Sequence, residues 1–234
     1  MPIASRFMTA SKLKIIAAFA CALLVTGSPG FAAAQDRIPV EDLKARAEAG
    51  DRTAALQLAL SYYLGTRGID QNFKEAARWY LKLAQQGDAL AQTTIGLMYA
   101  RGYGVGKDLE AALKWWTLAA VQNDPGAQFN LGLLYSQGEG VRQDYTRAIE
   151  WYLKAASRGH PQAQHNLGMH YHEGLGTAKD PVRAYFWVSV AALQGDDLAQ
   201  ASLQQMERGM TPGQISQAQA QAQRWLKKAK KAPR

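Results

Sequence analysis

Apolar and small side chains recur at a fixed interval of 36 residues through most of this 234-residue chain. Tryptophan occupies one position at this interval, tyrosine a second, and alanine three more. The five columns are Trp79, Trp115, Trp151 and Trp187; Tyr63, Tyr99, Tyr135 and Tyr171; Ala55, Ala91, Ala127, Ala163 and Ala199; Ala76, Ala112, Ala148 and Ala184; and Ala84, Ala120, Ala156 and Ala192. Five columns at one interval indicate a tandem-repeat protein.

Each 36-residue unit contains two helix patterns. In the second unit, Ala91, Ile95 and Tyr99 stand at i, i+4 and i+8, which predicts one buried helix face. Asp88 precedes this run as an N-cap and Gly102 follows it as a stop. One helix pair cannot bury its apolar face alone, so we expect the units to stack into a solenoid.

A glycine falls inside the first helix of three units, at Gly96, Gly132 and Gly168. Glycine in a helix interior costs about 1 kcal/mol relative to alanine. A cost repeated at the same position predicts that another helix approaches closely there, with Tyr and Trp side chains filling the surrounding space.

The repeated residues carry a family resemblance. The pattern A-x-x-x-[L/I]-G-x-x-Y-x-x-G-x-G-[V/T]-x-x-D-x-x-x-A-x-x-W runs over residues 91–115, 127–151 and 163–187. It resembles the Sel-1-like repeat, a relative of the tetratricopeptide repeat, over about residues 50–208. The resemblance implies an all-α fold, a right-handed α/α superhelical solenoid of helix-turn-helix repeats with four full 36-residue units plus terminal caps.

The first unit and the chain ends depart from the pattern. Residues 55–79 have Ala59-Leu60 in place of the Leu-Gly pair and Thr66 in place of the first loop glycine. We expect an N-terminal capping helix in residues 35–50, the solenoid in 51–208 and a C-terminal capping helix in 209–226, which opens with a capping box at Thr211–Gln214. Residues 227–234 are predicted to be a basic disordered tail.

Residues 1–34 have the features of a secretory signal peptide. Arg6, Lys12 and Lys14 precede the apolar run 15–25, and small residues precede Gln35. Eleven helical residues span about 16 Å, half of a bilayer core of about 30 Å. We therefore expect cleavage after Ala34 and a periplasmic or secreted mature chain. Lipidation of Cys21 is the alternative; after cleavage no cysteine remains.

The net charge of +8 is concentrated at the two ends. Three cations fall in residues 1–34 and six in the last eleven residues, which leaves 18 positive against 19 negative residues between positions 35 and 223. A nearly neutral solenoid argues against nucleic acid as a partner. At most, we expect the tail to make peripheral contact with an anionic surface.

Catalytic motifs are sparse. The mature sequence has no Ser-x-x-Lys, and the whole chain has no Gly-x-Ser-x-Gly, His-Glu-x-x-His or calcium loop. The glycine-rich loop 102–107 superficially resembles a phosphate cradle, but the same glycines recur in other units as turns. We predict no cofactor, no metal and no catalytic residues. Some cysteine-rich secreted relatives have reported β-lactam activity, so a hydrolase of β-lactams or cell-wall material is the alternative function.

All four histidines lie between positions 160 and 172. His165, Met169 and His172 fall on one helix face, which suggests either a soft-metal site or, as we favour, a polar part of a binding surface. His160 stands where Asp88 and Asp124 cap earlier units. The tryptophan column suggests either a sugar-stacking ladder or core packing, and its strict spacing favours core.

The variable positions of the first helices are the candidate binding residues. In tetratricopeptide relatives this helix lines a concave groove, and an Asn two residues before the mid-helix glycine bonds the backbone of an extended peptide. The resemblance assigns that role to Asn130 and Asn166. The predicted partner-binding set is Phe129, Asn130, Leu133, His165, Asn166, Met169 and His172. We therefore predict an exported adaptor that binds a protein or peptide in a groove of mixed polar and apolar character.

Overall fold

The structure, a computed structural model, describes residues 38–231, which form eleven α-helices and no strand within that range. In chain order these are α1 (Val40–Glu48), α2 (Arg52–Leu64), α3 (Phe73–Gln85), α4 (Ala89–Arg101), α5 (Leu109–Val121), α6 (Pro125–Gln137), α7 (Tyr145–Ser157), α8 (Pro161–Glu173), α9 (Pro181–Ala192), α10 (Asp197–Glu207) and α11 (Pro212–Lys231). Helices α2–α9 are the four predicted pairs, and α10 and α11 follow them. The predicted all-α fold of α/α solenoid repeats is confirmed.

The chain divides into two compact units within α5, between Ala112 and Leu113. In the first unit, α1 packs on α2, α2 on α3, and α3 on α4. In the second unit, α6 packs on α7, α7 on α8, and α8 on α9, while α9 contacts both α10 and α11. Helices α6 and α8 also contact each other directly. Each unit therefore buries its apolar faces between consecutive helices.

Polar side chains begin the helices and glycines end the first helix of each pair. The N-cap side chains of α2, α4, α6, α8 and α10 accept a hydrogen bond from the backbone N–H three residues on; they are Asp51, Asp88, Asp124, His160 and Asp196. The C-caps Gly65, Gly102, Gly138 and Gly174 adopt the left-handed conformation, with φ between 67° and 75°. These caps satisfy backbone groups that the helix ends leave unpaired. The predicted capping pattern is confirmed.

Two of the three mid-helix glycines, Gly132 and Gly168, lie at close contacts between helices, as predicted. A Cβ atom on Gly132 would lie 2.5 Å from the ring of Tyr152. One on Gly168 would lie 2.5 Å from Val188 Cγ2 and 2.8 Å from the carbonyl oxygen of Ala184. In the third and fourth pairs, the second helix therefore packs directly against the backbone of the first.

The first repeat, which consists of α2 and α3, departs from the pattern because the loop between its two helices is one residue longer. Seven positions separate the C-cap Gly65 from the next N-cap Asn72, whereas six separate Gly102 from Asp108. The insertion lies between the helices, so α2 is displaced by one residue relative to the 36-residue spacing.

Two of the predicted columns therefore name the wrong residue in the first repeat. The backbone N–H of Asn72 bonds to the carbonyl of Tyr62, just as Asp108 bonds to Tyr99, so Tyr62 and not Tyr63 is the equivalent tyrosine. In the same way, buried Ala54 replaces Ala55 in its column. Leu58-Ala59 is then the counterpart of Ile95-Gly96, and alanine stands where later units have glycine.

The tryptophan column is only partly core. Trp79 and Trp187 are buried, at 5% and 8% exposure, but Trp115 and Trp151 are half-buried. Trp187 is covered by the terminal helix, where the Trp225 ring lies 5.9 Å away, and Glu48 of α1 lines a small cavity beside Trp79. The column buried in all four pairs is the next one, namely Tyr80, Trp116, Tyr152 and Val188.

The C-terminal helix is longer than predicted. Helix α11 runs from Pro212 to Lys231, so residues 227–231, expected in a disordered tail, are helical. Lysine and alanine are good helix formers, and cations near a helix C-terminus interact favourably with the helix dipole. Within residues 38–231, no helix combines the length and apolar character needed to cross a bilayer. The predicted signal peptide lies outside the described residues.

Gly168→Ala tests the close contact between α8 and α9. We expect a loss of about 2 kcal/mol in the free energy of unfolding, because the added methyl group must displace Val188 and the α9 backbone. Gly213→Ala is the control, since nothing lies within 4 Å of a Cβ there, and it should be neutral or slightly stabilising. Urea unfolding measures both; equal effects of the two substitutions would contradict the close-contact explanation.

Candidate partner-binding face

All seven predicted partner-binding residues lie on α6 and α8, the first helices of the third and fourth pairs. Every one of these side chains is half-buried. Because α6 and α8 contact each other, the residues occupy two neighbouring helices of the second unit. We call Phe129, Asn130, Leu133, His165, Asn166, Met169 and His172 together the α6–α8 face.

The apolar members of this face also contribute to the core. Phe129 and Leu133 pack against the buried cluster that contains Tyr152. The Phe129 ring also stacks on His160, with 4.6 Å between ring centroids. Met169 packs against the cluster built around Tyr185 and Val188 of α9. These three side chains therefore have only part of their apolar surface left for a partner.

His165 is engaged within the second unit. Its Nε2 lies 2.9 Å from Ser202 Oγ, and the Ser202 hydroxyl donates to the Leu198 carbonyl. Since that hydroxyl hydrogen is already used, His165 Nε2 is the donor to Ser202. Burial lowers the pKa of His165, so the ring is neutral at pH 7. No group of three His, Cys, Asp or Glu side chains capable of holding a metal ion occurs in the described part of the chain.

Asn166 is held in place by neighbouring groups. Its side chain hydrogen-bonds with the Tyr152 hydroxyl, and its backbone carbonyl accepts a hydrogen bond from His170 Nδ1 at 2.8 Å. Burial raises the pKa of Tyr152 to about 12, which keeps this hydroxyl protonated. The amide is therefore oriented in advance.

His170 is a site residue that the sequence analysis missed. Its side chain is only 6% exposed, and Nε2 lies 3.2 Å from Ser136 Oγ. The rings of Tyr145 and Tyr152 meet it edge-on, with centroids 5.8 and 5.2 Å away. Burial lowers the pKa of His170. The repeat could have identified it, because the residues at the equivalent positions, Met98, Leu134 and Met206, are buried and apolar.

A column of buried glutamines was also missed, and its role is structural. Each donates from Nε2 to a carbonyl near the end of the preceding helix, at 3.0–3.2 Å; the pairs are Gln92 with Ala84, Gln128 with Ala120, and Gln164 with Ala156. These bonds satisfy helix-end carbonyls that would otherwise be buried unpaired. They hold each helix pair to the next.

His160 caps α8 through a nitrogen that must be unprotonated. Its Nδ1 accepts from the backbone N–H of Ala163 at 3.3 Å. Burial lowers the pKa of His160 to about 4, so the ring stays neutral at pH 7 and the cap is intact. A histidine therefore performs the role that aspartate performs in the neighbouring pairs.

Comparison with known proteins agrees with this architecture. The model of the Sel1 repeat family matches residues 53–88, 89–124, 125–160, 161–196 and 206–232. The last match covers all of α11 but only the last two residues of α10.

Two examples illustrate the similarity of this chain to solved structures. One is c5321, a protective antigen of uropathogenic Escherichia coli strains with an SLR fold, at 34% identity and a TM-score of 0.75, covering 81% of this chain and 41% of that one. The other is a Sel1 repeat protein from Oxalobacter formigenes, at 33% identity and a TM-score of 0.68, covering 83% of this chain and 77% of that one.

A plant protein matches over a shorter stretch. The ERAD-associated E3 ubiquitin-protein ligase component HRD3A of Arabidopsis thaliana is 35% identical over 62 residues, which are 26% of this chain and 9% of the plant protein. The match therefore spans less than a tenth of that relative.

His160→Asp tests the histidine cap. The unfolded state takes up a proton near pH 6.5 and the folded state only near pH 4, so wild-type stability falls as the pH drops through this window. In the variant, the aspartate side chain can cap α8 throughout this pH window. We expect similar stabilities at pH 7 and a relative gain for the variant of up to about 2 kcal/mol at pH 5.

Urea unfolding at the two pH values measures this gain. His165 and His170 are present in both proteins, so their lowered pKa values affect the two alike. An unchanged difference between variant and wild type from pH 7 to pH 5 would contradict the assignment.

Proposed function

Because the chain belongs to the Sel1 repeat family, whose members generally mediate protein–protein interactions, we propose that it is an exported adaptor that docks an extended segment of a partner protein along the α6–α8 face. Homologous Sel1-repeat scaffolds are typically non-enzymatic, which favours a binding role over the hydrolase alternative. The plant relative is by name a component of a ligase, and this description agrees with a partner-binding role.

The main support is the contrast between two sets of positions on the first helices. Most scaffold positions of these helices repeat from pair to pair and are buried, although the tyrosine column is half-buried. The positions of the α6–α8 face are half-buried and change between pairs; from the second pair to the fourth they read Thr93, Phe129 and His165; Thr94, Asn130 and Asn166; Leu97, Leu133 and Met169; and Ala100, Ser136 and His172. Variation at partly exposed positions of a constant scaffold is what partner selection requires.

The chemistry of this face suits an extended backbone with interspersed apolar side chains. The amides of Asn130 and Asn166 each offer a donor and an acceptor, as a peptide group does. Since Tyr152 already orients Asn166, binding loses less side-chain entropy there. The remaining exposed surface of Phe129, Leu133 and Met169 is available to the partner's apolar side chains. No Lys or Arg belongs to the face, so we propose an internal segment rather than a chain terminus as the occupant.

The sequence of residues 1–34 supports export, and the mature chain is proposed to begin at Gln35 in the periplasm or outside the cell. The basic end of α11 is the proposed point of peripheral contact with an anionic surface. Arg224, Lys227 and Lys228 are exposed there, and no acidic residue follows Glu207 in the sequence. This contact is secondary to the α6–α8 face in the proposal.

The docking proposal is tested by crosslinking in intact cells, followed by mass spectrometry of the captured protein. Asn130→Ala combined with Asn166→Ala should weaken capture at least tenfold, because two hydrogen bonds worth about 1 kcal/mol each are removed. Glu150→Ala combined with Ser157→Ala, at exposed positions on α7, is the matched control and should leave capture unchanged.

Two results would contradict the proposal. Undiminished capture by the double asparagine variant would place the binding surface elsewhere. Recovery of the chain from the cytoplasm with residues 1–34 attached would contradict export.

A further inference from the structure

The protons of the Ser136–His170 pair are fixed by their surroundings. A carbonyl oxygen only accepts hydrogen bonds, so the 2.8 Å contact with the Asn166 carbonyl places the ring proton of His170 on Nδ1. The neutral ring then has an unprotonated Nε2, which lies 3.2 Å from Ser136 Oγ. Ser136 is consequently the donor, and its hydroxyl points at a base.

This arrangement differs from that of other helical hydroxyls in the chain. Several donate to the carbonyl four residues earlier at 2.7–2.9 Å; they are Ser61, Thr94, Thr117, Ser157 and Ser202. Ser202 also contacts a histidine, His165, but as the acceptor. The described part of the chain thus has two Ser–His contacts in which the donor and the acceptor are exchanged. Of these two serines, only Ser136 can pass its proton to the histidine ring.

The surroundings of Ser136 supply two further elements of a nucleophilic site. The Asn166 carbonyl orients the base, as the third member of a catalytic triad does. The Tyr152 hydroxyl also hydrogen-bonds with Ser136, and burial keeps that hydroxyl protonated. Ser136 is half-buried while His170 is buried, so the base is shielded from solvent.

We propose that Ser136 is an acyl-accepting nucleophile, activated by His170, that reacts with small activated aryl esters. Ser136 Oγ bonds to the ester carbonyl carbon, the ester C–O bond breaks, and the hydroxyl proton passes to His170 Nε2 and then to the departing phenolate. Water then attacks the acyl-serine in the same way, which releases the carboxylic acid and restores Ser136.

The test uses the full mature chain with p-nitrophenyl acetate and, separately, an alkyl fluorophosphonate. We expect p-nitrophenol release and one covalent label, which peptide mapping should place at Ser136. Ser136→Ala should reduce both at least tenfold. Ser202→Ala is the matched control, because Ser202 contacts a histidine with the opposite polarity, and it should react as the wild type does.

His170→Met separates reactivity from folding. Methionine is the residue of the same column at positions 98 and 206, so this variant should unfold at the wild-type temperature or above it while losing at least tenfold in reactivity. The wild-type labelling rate should fall only below pH 6.5, since His170 faces the neutral groups Ser136, Tyr145 and Tyr152, with Glu173 on its own helix.

Three outcomes would overturn the proposal. One is a wild-type chain that takes no label at Ser136. Another is labelling of Ser136→Ala or His170→Met at the wild-type rate. The third is an equal loss of reactivity in Ser202→Ala.

Discussion

The contact between a helical glycine and the helix that follows it governs how the third and fourth pairs are built. At Gly132 the ring of Tyr152 occupies the space of a missing Cβ, and at Gly168 the side chain of Val188 does so. The approach leaves no room for larger groups, so it sets the register of the two helices. Capping aspartates, left-handed glycines and buried glutamines then satisfy the backbone groups at the helix ends that this packing leaves unpaired.

This packing leaves few positions free to vary. The histidines that replace otherwise repeated residues lie in the second compact unit. Histidine replaces a capping aspartate at His160 and a buried apolar residue at His170. Asparagine replaces threonine on the α6–α8 face. Of these replacements, only His170 puts a polar group where the equivalent residues are apolar. We propose that binding, and the reactivity of Ser136, depend on the residues that break the pattern.

The repeat interval predicted the helix pairs, their caps and the glycine contacts, because these depend on local spacing and on residues common to every unit. It did not reveal the loop insertion before Asn72, because the second helices keep the 36-residue interval and only α2 is shifted by one residue. It also placed the buried aromatic column one residue too early. Two adjacent columns are aromatic in most units, and only the packing distinguishes the buried one.

Residues whose role depends on a polar neighbour from another helix could not be identified from the sequence. His170 was passed over because its partners Ser136 and Tyr152 lie on other helices, 34 and 18 positions away in the chain. The seven predicted face residues were placed together on α6 and α8, but the sequence could not show that Phe129 stacks on His160 or that His165 bonds to Ser202. Such contacts depend on how neighbouring pairs stack.

We infer that the residues of the binding face can be exchanged without unfolding the scaffold. A sharp test is partner binding by a variant whose fourth pair carries the second pair's face, namely His165→Thr, Asn166→Thr, Met169→Leu and His172→Ala. We expect this variant to unfold within a few degrees of the wild type and to lose capture of the partner. Capture at the wild-type level by the folded variant would contradict it.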